Sequence, residues 1–459
     1  DCLLSRGLGD VYKRQPLYMN FSYKQIWIIA YPILISLLME HMINVTDTAF
    51  LGHVGEVELG ASALAGVLYM AIYMLGFGFS IGVQILIARR NGEQKYSEIG
   101  GVFIQGAFFL LALATVMFFL CDFITTHILG RLISSDQVYT AAASYLEWRR
   151  YGLFFSFIAI LFRAFYIGIT ETRTLTLNSI VMVLSNIIFN YILIFGKFGF
   201  PALGIAGAAI GSSLAELVSL LFYVAYTWFK VDKKKYALFQ QFSFKLAEFK
   251  RIWNISCWTM LQSILFPSQW FLFFIAIEHL GERSLAIANI MRSINTCFFM
   301  VIFAFADTAS SMVSNLLGRG EEKSEIWLAC KRAIRLTYMI GIPFLLLSAL
   351  FPTVLLQIYT NSQELVQAAL PTTYIMLLGY FLSAPGLVLF NAVSGTGNTN
   401  RSMRIMLITI SVYVVYVVIM VMYLKVDVAV AWTSEYIYGG MLLLLSYLYL
   451  KRENWNKRI

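Results

Sequence analysis

The chain has 459 residues, 59% of them hydrophobic and 16% aromatic but only 13% charged, about half the charged share of an ordinary soluble domain. So much apolar surface cannot be hidden in one core and must face lipid, which excludes a water-soluble globule, a disordered chain and a collagen-like one. A net charge of +9 would suit nucleic acid only if the basic residues were clustered, and here they are spread between long apolar runs, so no nucleic-acid partner is expected. The five cysteines are odd in number and scattered, without CxxC or Cys/His spacing, which argues against a disulfide framework, a metal site or redox work.

Residues 1–18 lack an initiating Met and a signal-length apolar run, so they read as an extraneous or disordered leader, with Met19 opening the segment that runs into the first apolar stretch. A hydrocarbon core of about 30 Å takes about 20 helical residues, and twelve such runs follow. They are 25–51, 59–88, 100–121, 139–168, 175–195, 203–229, 252–279, 285–317, 328–350, 366–394, 403–424 and 428–450. Their apolar character is continuous, not alternating, which selects helices over a barrel.

With the N-terminus inside, 23 loop Lys and Arg fall on the cytoplasmic side and six outside (Arg131, Arg149, Arg150, Lys197, Arg283, Lys425). The positive-inside rule then places both termini in the cytoplasm. The hydrophilic stretch 230–251 carries seven basic residues and reads as a cytoplasmic linker. It divides an N-lobe (19–229) from a C-lobe (252–450), with a cytoplasmic tail at 451–459.

An internal repeat supports that division. Gly55-Glu56 and Gly281-Glu282 are 226 positions apart, as are Gly92 and Gly318, and GITET at 168–172 matches GTGNT at 395–399 with an offset of 227. Six crossings per half give the halves one orientation and a pseudo-two-fold axis along the membrane normal. The fold class is therefore an all-α integral membrane protein, with twelve transmembrane helices in two pseudo-symmetric six-helix bundles around a central cleft. No nucleotide-binding loop or HExxH motif occurs, so the chain is not expected to be an enzyme and any active transport must run on an ion gradient. No filter sequence of the TVGYG kind is present, which disfavours a channel.

Ionisable residues inside spans are expensive and mark function. The first span holds Pro32, Glu40, His41, Asn44 and Asp47. Seven residues at about 100° each return Glu40 and Asp47 to one face, with Asn44 between them, and His41 is rotated away. Pro32 removes an amide hydrogen and crowds the preceding turn, giving the helix a bend. Protonating a buried carboxylate relieves its desolvation and links proton occupancy to helix shape. Asn186 and Asn190, four apart on the fifth span, share a face and can hydrogen-bond an acid or ligate a cation, although interhelical glue is the commoner role of membrane Asn. Asp307, among Thr308, Ser310, Ser311 and Ser314, is a polar site of the second half or a structural acid. Glu216 lies in a small-residue stretch that argues close helix packing, and snorkelling or salt bridging is the default for Arg163, Glu171, Arg292 and Glu435.

From Met19 onward these residues resemble the multidrug and toxic compound extrusion (MATE) transporters. The resemblance rests on YP at 31–32, DTAFLGHVG at 47–55, ARRNG at 88–92, GITETRT at 168–174, NIIFNYILIFG at 186–196, PALGIAGAAIG at 201–211 and GTGNTN at 395–400. It is closer to the prokaryotic branch of the DNA-damage-inducible F type than to the sodium-driven norfloxacin exporters. The resemblance implies two lobes rocking around a V-shaped cleft in a bacterial inner membrane, and a monomer that exports organic cations and amphiphiles in antiport. It makes Asp47 the coupling carboxylate, Pro32 its bend, and Asn186 and Asn190 the lining of the same pocket, with Glu40 as a second coupling candidate. Many relatives carry Asp where this chain has Asn190, so proton coupling is expected, with sodium the alternative and no cofactor beyond the ion. Lipid-precursor flippases share the architecture, but their pyrophosphate cargo calls for clustered cavity cations, and only Arg163 and Arg292 qualify.

Overall fold

The computed structural model describes residues 21–133, 135–240 and 243–452, so the expected leader and residues 453–459 of the expected tail lie outside it. Within these bounds the chain is helical. In the first half the long helices are α1 (Tyr23–Val54), α2 (Glu56–Gly92), α3 (Tyr96–Ile124), α4 (Asp136–Arg149), α5 (Gly152–Gly168), α6 (Arg173–Phe195) and α7 (Gly204–Lys230). In the second they are α8 (Leu246–Glu278), α9 (Glu282–Arg319), α10 (Lys323–Leu350), α11 (Gln363–Gly395), α12 (Thr399–Val417) and α13 (Ser434–Arg452). Eleven helical stretches are long and apolar enough to cross a membrane, and the bent pair α4–α5 makes twelve.

The ends of these helices are legible in local chemistry. Ser22 opens α1 with a reciprocal cap: its hydroxyl accepts from the Gln25 amide (3.4 Å) while its own amide donates to the Gln25 side chain (3.0 Å), satisfying donors a helix start leaves free. Gly196 and Gly320 close α6 and α9 in the left-handed region, at φ 66° and 77°, where a Cβ would be strained. Span four was expected as one run over 139–168. It is instead broken by 52° between Arg149 and Gly152, at the point where Arg149 turns inward to an acid described below.

α7 approaches α6 closely through its small residues: a Cβ on Gly207 would meet the Leu193 carbonyl at 2.5 Å. This is the packing its GxxxG-like stretch leads one to expect. Three quarters of the apolar windows of α9 and α11 are buried, 78% and 72%, against 17% for α3, so α9 and α11 are central and α3 is peripheral and lipid-facing.

The repeat is visible as paired contacts. Thr172 donates to the Ile29 carbonyl (2.9 Å) and Thr399 to the Ile255 carbonyl (2.9 Å). A Cβ on Gly168 would meet the Gln84 carbonyl at 3.2 Å, and one on Gly395 the Ser310 carbonyl at 2.3 Å. These pairs sit 226 or 227 positions apart, the offset read from the sequence.

The halves meet through α2 against α8 and α9 and through α1 against α9, and the meeting is tightest at the end that carries the basic loops. There the repeat glycines cross: a Cβ on Gly92 would lie 2.1 Å from the Asn315 carbonyl oxygen, and one on Gly318 2.3 Å from that of Arg89. Around them Asn91 donates to the Asn315 side chain (2.7 Å), Ser314 to the Ile85 carbonyl (2.7 Å) and Arg89 to the Thr396 carbonyl (3.0 Å). Part of the basic stretch between the halves is docked on α3, with Gly100 donating to the Tyr236 carbonyl (2.9 Å) and Gln105 to the Ser243 carbonyl (2.8 Å).

Candidate functional site

Asp47 lies in the half of α1 remote from the sealed end, where α1, α6 and α7 adjoin. Asn190 donates its side-chain amide to Asp47 Oδ1 at 2.6 Å, and Ser212 its hydroxyl to Oδ2 at 3.3 Å. The same Asn190 amide reaches Asn186 Oδ1 (3.2 Å), and the Asn186 amide reaches Ser212 Oγ (3.1 Å). Four-residue spacing on α6 thus puts both Asn side chains on the face toward Asp47, as expected. Gly211 makes room for them, since a Cβ there would stand 2.2 Å from Asn190 Oδ1. Ser212, next in sequence, was hidden from the sequence reading in a stretch whose evident message was packing.

Behind this cluster stands an ion pair that the sequence reading did not find. Arg149 forks onto Glu216 at 2.8 and 2.5 Å, its guanidinium stacks 3.9 Å from the centre of the Tyr69 ring, and the Tyr69 hydroxyl donates to Glu216 at 3.3 Å. A bidentate fork with an aromatic face behind it suits Arg and not Lys. Arg149 was counted as an outside loop cation; it is buried, and its charge acts on Asp47. Glu216 is a charged partner as well as a resident of a packing stretch. Gly152 completes the site, because a Cβ there would collide with both Glu216 and Arg149.

Glu40 does not join Asp47 despite sharing its helix face. It accepts from Ser36 (3.4 Å) and lies within electrostatic reach of Arg163 and Asp307. Arg163 donates to Asp307 at 2.8 Å, bridging α5 of the first half to α9 of the second. Glu40 is surface-accessible while its charged neighbours Arg163 and Asp307 bridge the two halves, so it borders the seam between them. Asp307 is therefore an ion-paired acid of the interface. The salt-bridge default holds for Arg163. Glu435 departs from it, being buried and accepting from the Tyr413 hydroxyl (3.3 Å), while Arg292 bonds Asn289 (3.0 Å). Pro32 sits inside the continuous helix α1. Lacking an amide hydrogen, it leaves the Ile28 carbonyl without its helical donor, and the Thr172 hydroxyl stands 3.4 Å from that oxygen.

A polar cluster in one half, a charged seam between the halves and a repeat that meets at one end define the two-lobed arrangement. A family model described as MatE matches residues 32–192 and 259–420, once in each half. The chain belongs to the MatE family. Among curated relatives, this MatE chain is 27% identical over 314 residues to the probable multidrug resistance protein NorM of Agrobacterium fabrum, covering 66% of this chain and 65% of that one. It is 25% identical over 363 residues to the protein of the same description from Neisseria meningitidis serogroup B, covering 78% and 77%. The match thus spans just under two thirds of the Agrobacterium protein's length. In fold, it is similar to an outward-facing multidrug resistance MATE family transporter of the MOP superfamily, with a TM-score of 0.85 at 19% identity over 94% of this chain and 95% of that chain. A MOP superfamily transporter from Pyrococcus furiosus gives 0.85 at 18% identity over the same shares.

Proposed function

We propose that this chain exports amphiphilic organic cations by alternating access, as a monomer in a bacterial inner membrane with both termini in the cytoplasm, in exchange for protons taken up at Asp47. The observation that carries this reading is the setting of Asp47: one carboxylate, held by the neutral side chains of Asn190 and Ser212 on the helix that borders the cleft. Amides and hydroxyls can donate to a carboxylate and accept from a carboxylic acid, so such a shell tolerates both states of the acid. Protonation there removes a charge from α1, and α1 also carries Glu40 and touches α9 across the interface. The end closed by Gly92 and Gly318 bears the basic loops, which the positive-inside rule puts in the cytoplasm, and on this reading the contacts at that end are the ones that part to admit cargo.

Sodium is the rival ion, and one observation speaks for it: Asn190 Oδ1 is buried without a hydrogen-bond partner, a free ligand oxygen beside the carboxylate. The flippase reading is weakened because Arg163 is already neutralised by Asp307. Everted vesicles energised by respiration test the proposal. The wild-type chain should accumulate a lipophilic cation such as tetraphenylphosphonium against its gradient, undiminished when choline replaces sodium, and Asp47→Asn should abolish it. Full-rate export by Asp47→Asn, or an absolute need for sodium, contradicts proton exchange at this residue.

A further inference from the structure

α9 presents Asp307, Ser311 and Asn315 at four-residue intervals, which a helix places along one face. All three engage the same end of α5 or the residues beside it. Ser311 donates to the Ile167 carbonyl (2.7 Å), Asn315 to the Gly168 carbonyl (3.0 Å), and Asp307 accepts from Arg163 (2.8 Å). The seam therefore begins with neutral bonds near the sealed end and finishes, farther from it, on one ion pair.

These contacts differ in what happens when the halves part. Ser311, Asn315 and the carbonyls they serve exchange one hydrogen bond for another with entering water, at small net cost. Two opposite charges pulled apart lose a direct ion pair as well as hydrogen bonds, and water entering a narrow seam replaces that less fully than it replaces a neutral bond. Arg163 and Asp307 expose only 9% and 17% of their side chains, so both need a new partner. Arg163 has one at hand in its own half: Glu40 on α1, whose charge already acts on it. Asp307 has none along α9, where the nearest basic residues are Arg292 and Arg319, about 22 Å and about 18 Å away along the helix axis.

We propose that Arg163 and the positive group of the cargo compete for Asp307. When the cytoplasmic end opens, Arg163 passes to Glu40 and Asp307 faces the entering cation as a bare carboxylate. When that end closes, Arg163 returns to Asp307 and evicts the cation into the outward cleft. The competition rests on the export reading above, supplies that reading with a second-half cargo site, and makes Arg163 a displacing group built into the first half.

The test uses purified full-length chain and two probes of the same size and shape and opposite charge, tetraphenylphosphonium and tetraphenylborate. Asp307→Asn should weaken tetraphenylphosphonium binding by at least about tenfold and leave tetraphenylborate binding within about twofold of wild type. Arg163→Gln should tighten tetraphenylphosphonium binding by at least about tenfold, while export at saturating probe slows by a similar factor because nothing displaces the bound cation. That split between affinity and turnover is not what a packing defect produces. Unchanged tetraphenylphosphonium affinity in Asp307→Asn, or a change shared equally by both probes, overturns the proposal. If Arg163→Gln does not fold, the Asp307→Asn arm decides alone, since that variant leaves Arg163 its Glu40 partner. Failure of the wild-type chain to export tetraphenylphosphonium in vesicles would sink the export reading, whereas normal export with unaltered affinities in the variants would sink only the competition.

Discussion

Arg149 shows why charges were harder to read than helices. In the sequence it is one of a pair, Arg149-Arg150, at the end of an apolar run, and such residues are usually loop cations. Its partner Glu216 lies 67 positions later in a stretch dominated by Gly, Ala and Ser, and only the folding of α4 against α7 reveals the pair. The amide pair Asn186 and Asn190 was legible because its four-residue spacing is local, and Asp47 because an acid inside an apolar run is conspicuous; Ser212 carries no such signal. The Arg149 pair makes a strong prediction. Glu216→Gln leaves a buried guanidinium uncompensated and should destabilise the chain by about 3–5 kcal/mol, read as a large fall in unfolding temperature in detergent, whereas an unchanged melting curve would mean that the pair is solvated. Glu93, in the turn after α2, gives a pH-dependent case. Burial pushes its carboxyl up, but Arg90 and Lys95 bond it and hold it below the ordinary value of 4.5. A folded value below the unfolded one stabilises above the ordinary range and is lost as pH falls through the lowered value. Glu93→Gln should therefore melt earlier than wild type at pH 7, by an amount worth no more than about 1 kcal/mol for so accessible a network. The gap should close in acid, and a gap that widens there would reverse the assignment.

At the scale of the element, the spans were legible because hydropathy adds up along the chain and needs no knowledge of partners. The broken fourth span was not legible, because its break coincides with a contact between Arg149 and Glu216 that only the tertiary fold reveals. Pro32 was readable as a disruption of α1, but the residue that compensates it was not. Thr172 stands outside α1, 143 positions from Ile29, and its hydroxyl serves the Ile29 carbonyl at 2.9 Å and the freed Ile28 carbonyl at 3.4 Å. Its repeat mate Thr399 makes the matching bond to Ile255 at a place where the chain has Trp258 and not proline. Thr172 accordingly has more to do than Thr399. Thr172→Val, nearly isosteric, should cost about 1 kcal/mol more in stability than Thr399→Val, measured by parallel denaturation of the two variants. Equal losses would show that the Ile28 carbonyl does not depend on the hydroxyl.

At the scale of the whole molecule, the repeat glycines read from the sequence turned out to be the places where the halves touch. Gly92 and Gly318 mark equivalent helix ends because two helices related by the pseudo-two-fold axis must cross there with backbone against backbone, and a side chain on either would hold them apart. The proposed export by alternating access requires that crossing to come undone once per cycle. The residues to bind together are Asn91 and Asn315, whose side chains meet at 2.7 Å across the seam. The measurement is export of a lipophilic cation by the Asn91→Cys, Asn315→Cys chain, with the native cysteines replaced, before oxidation, after oxidation and after reduction. Oxidation should stop export and reduction restore it, since a cross-linked seam cannot open to the cytoplasm. Export at the full rate by the demonstrably cross-linked protein would contradict alternating access through this end of the molecule.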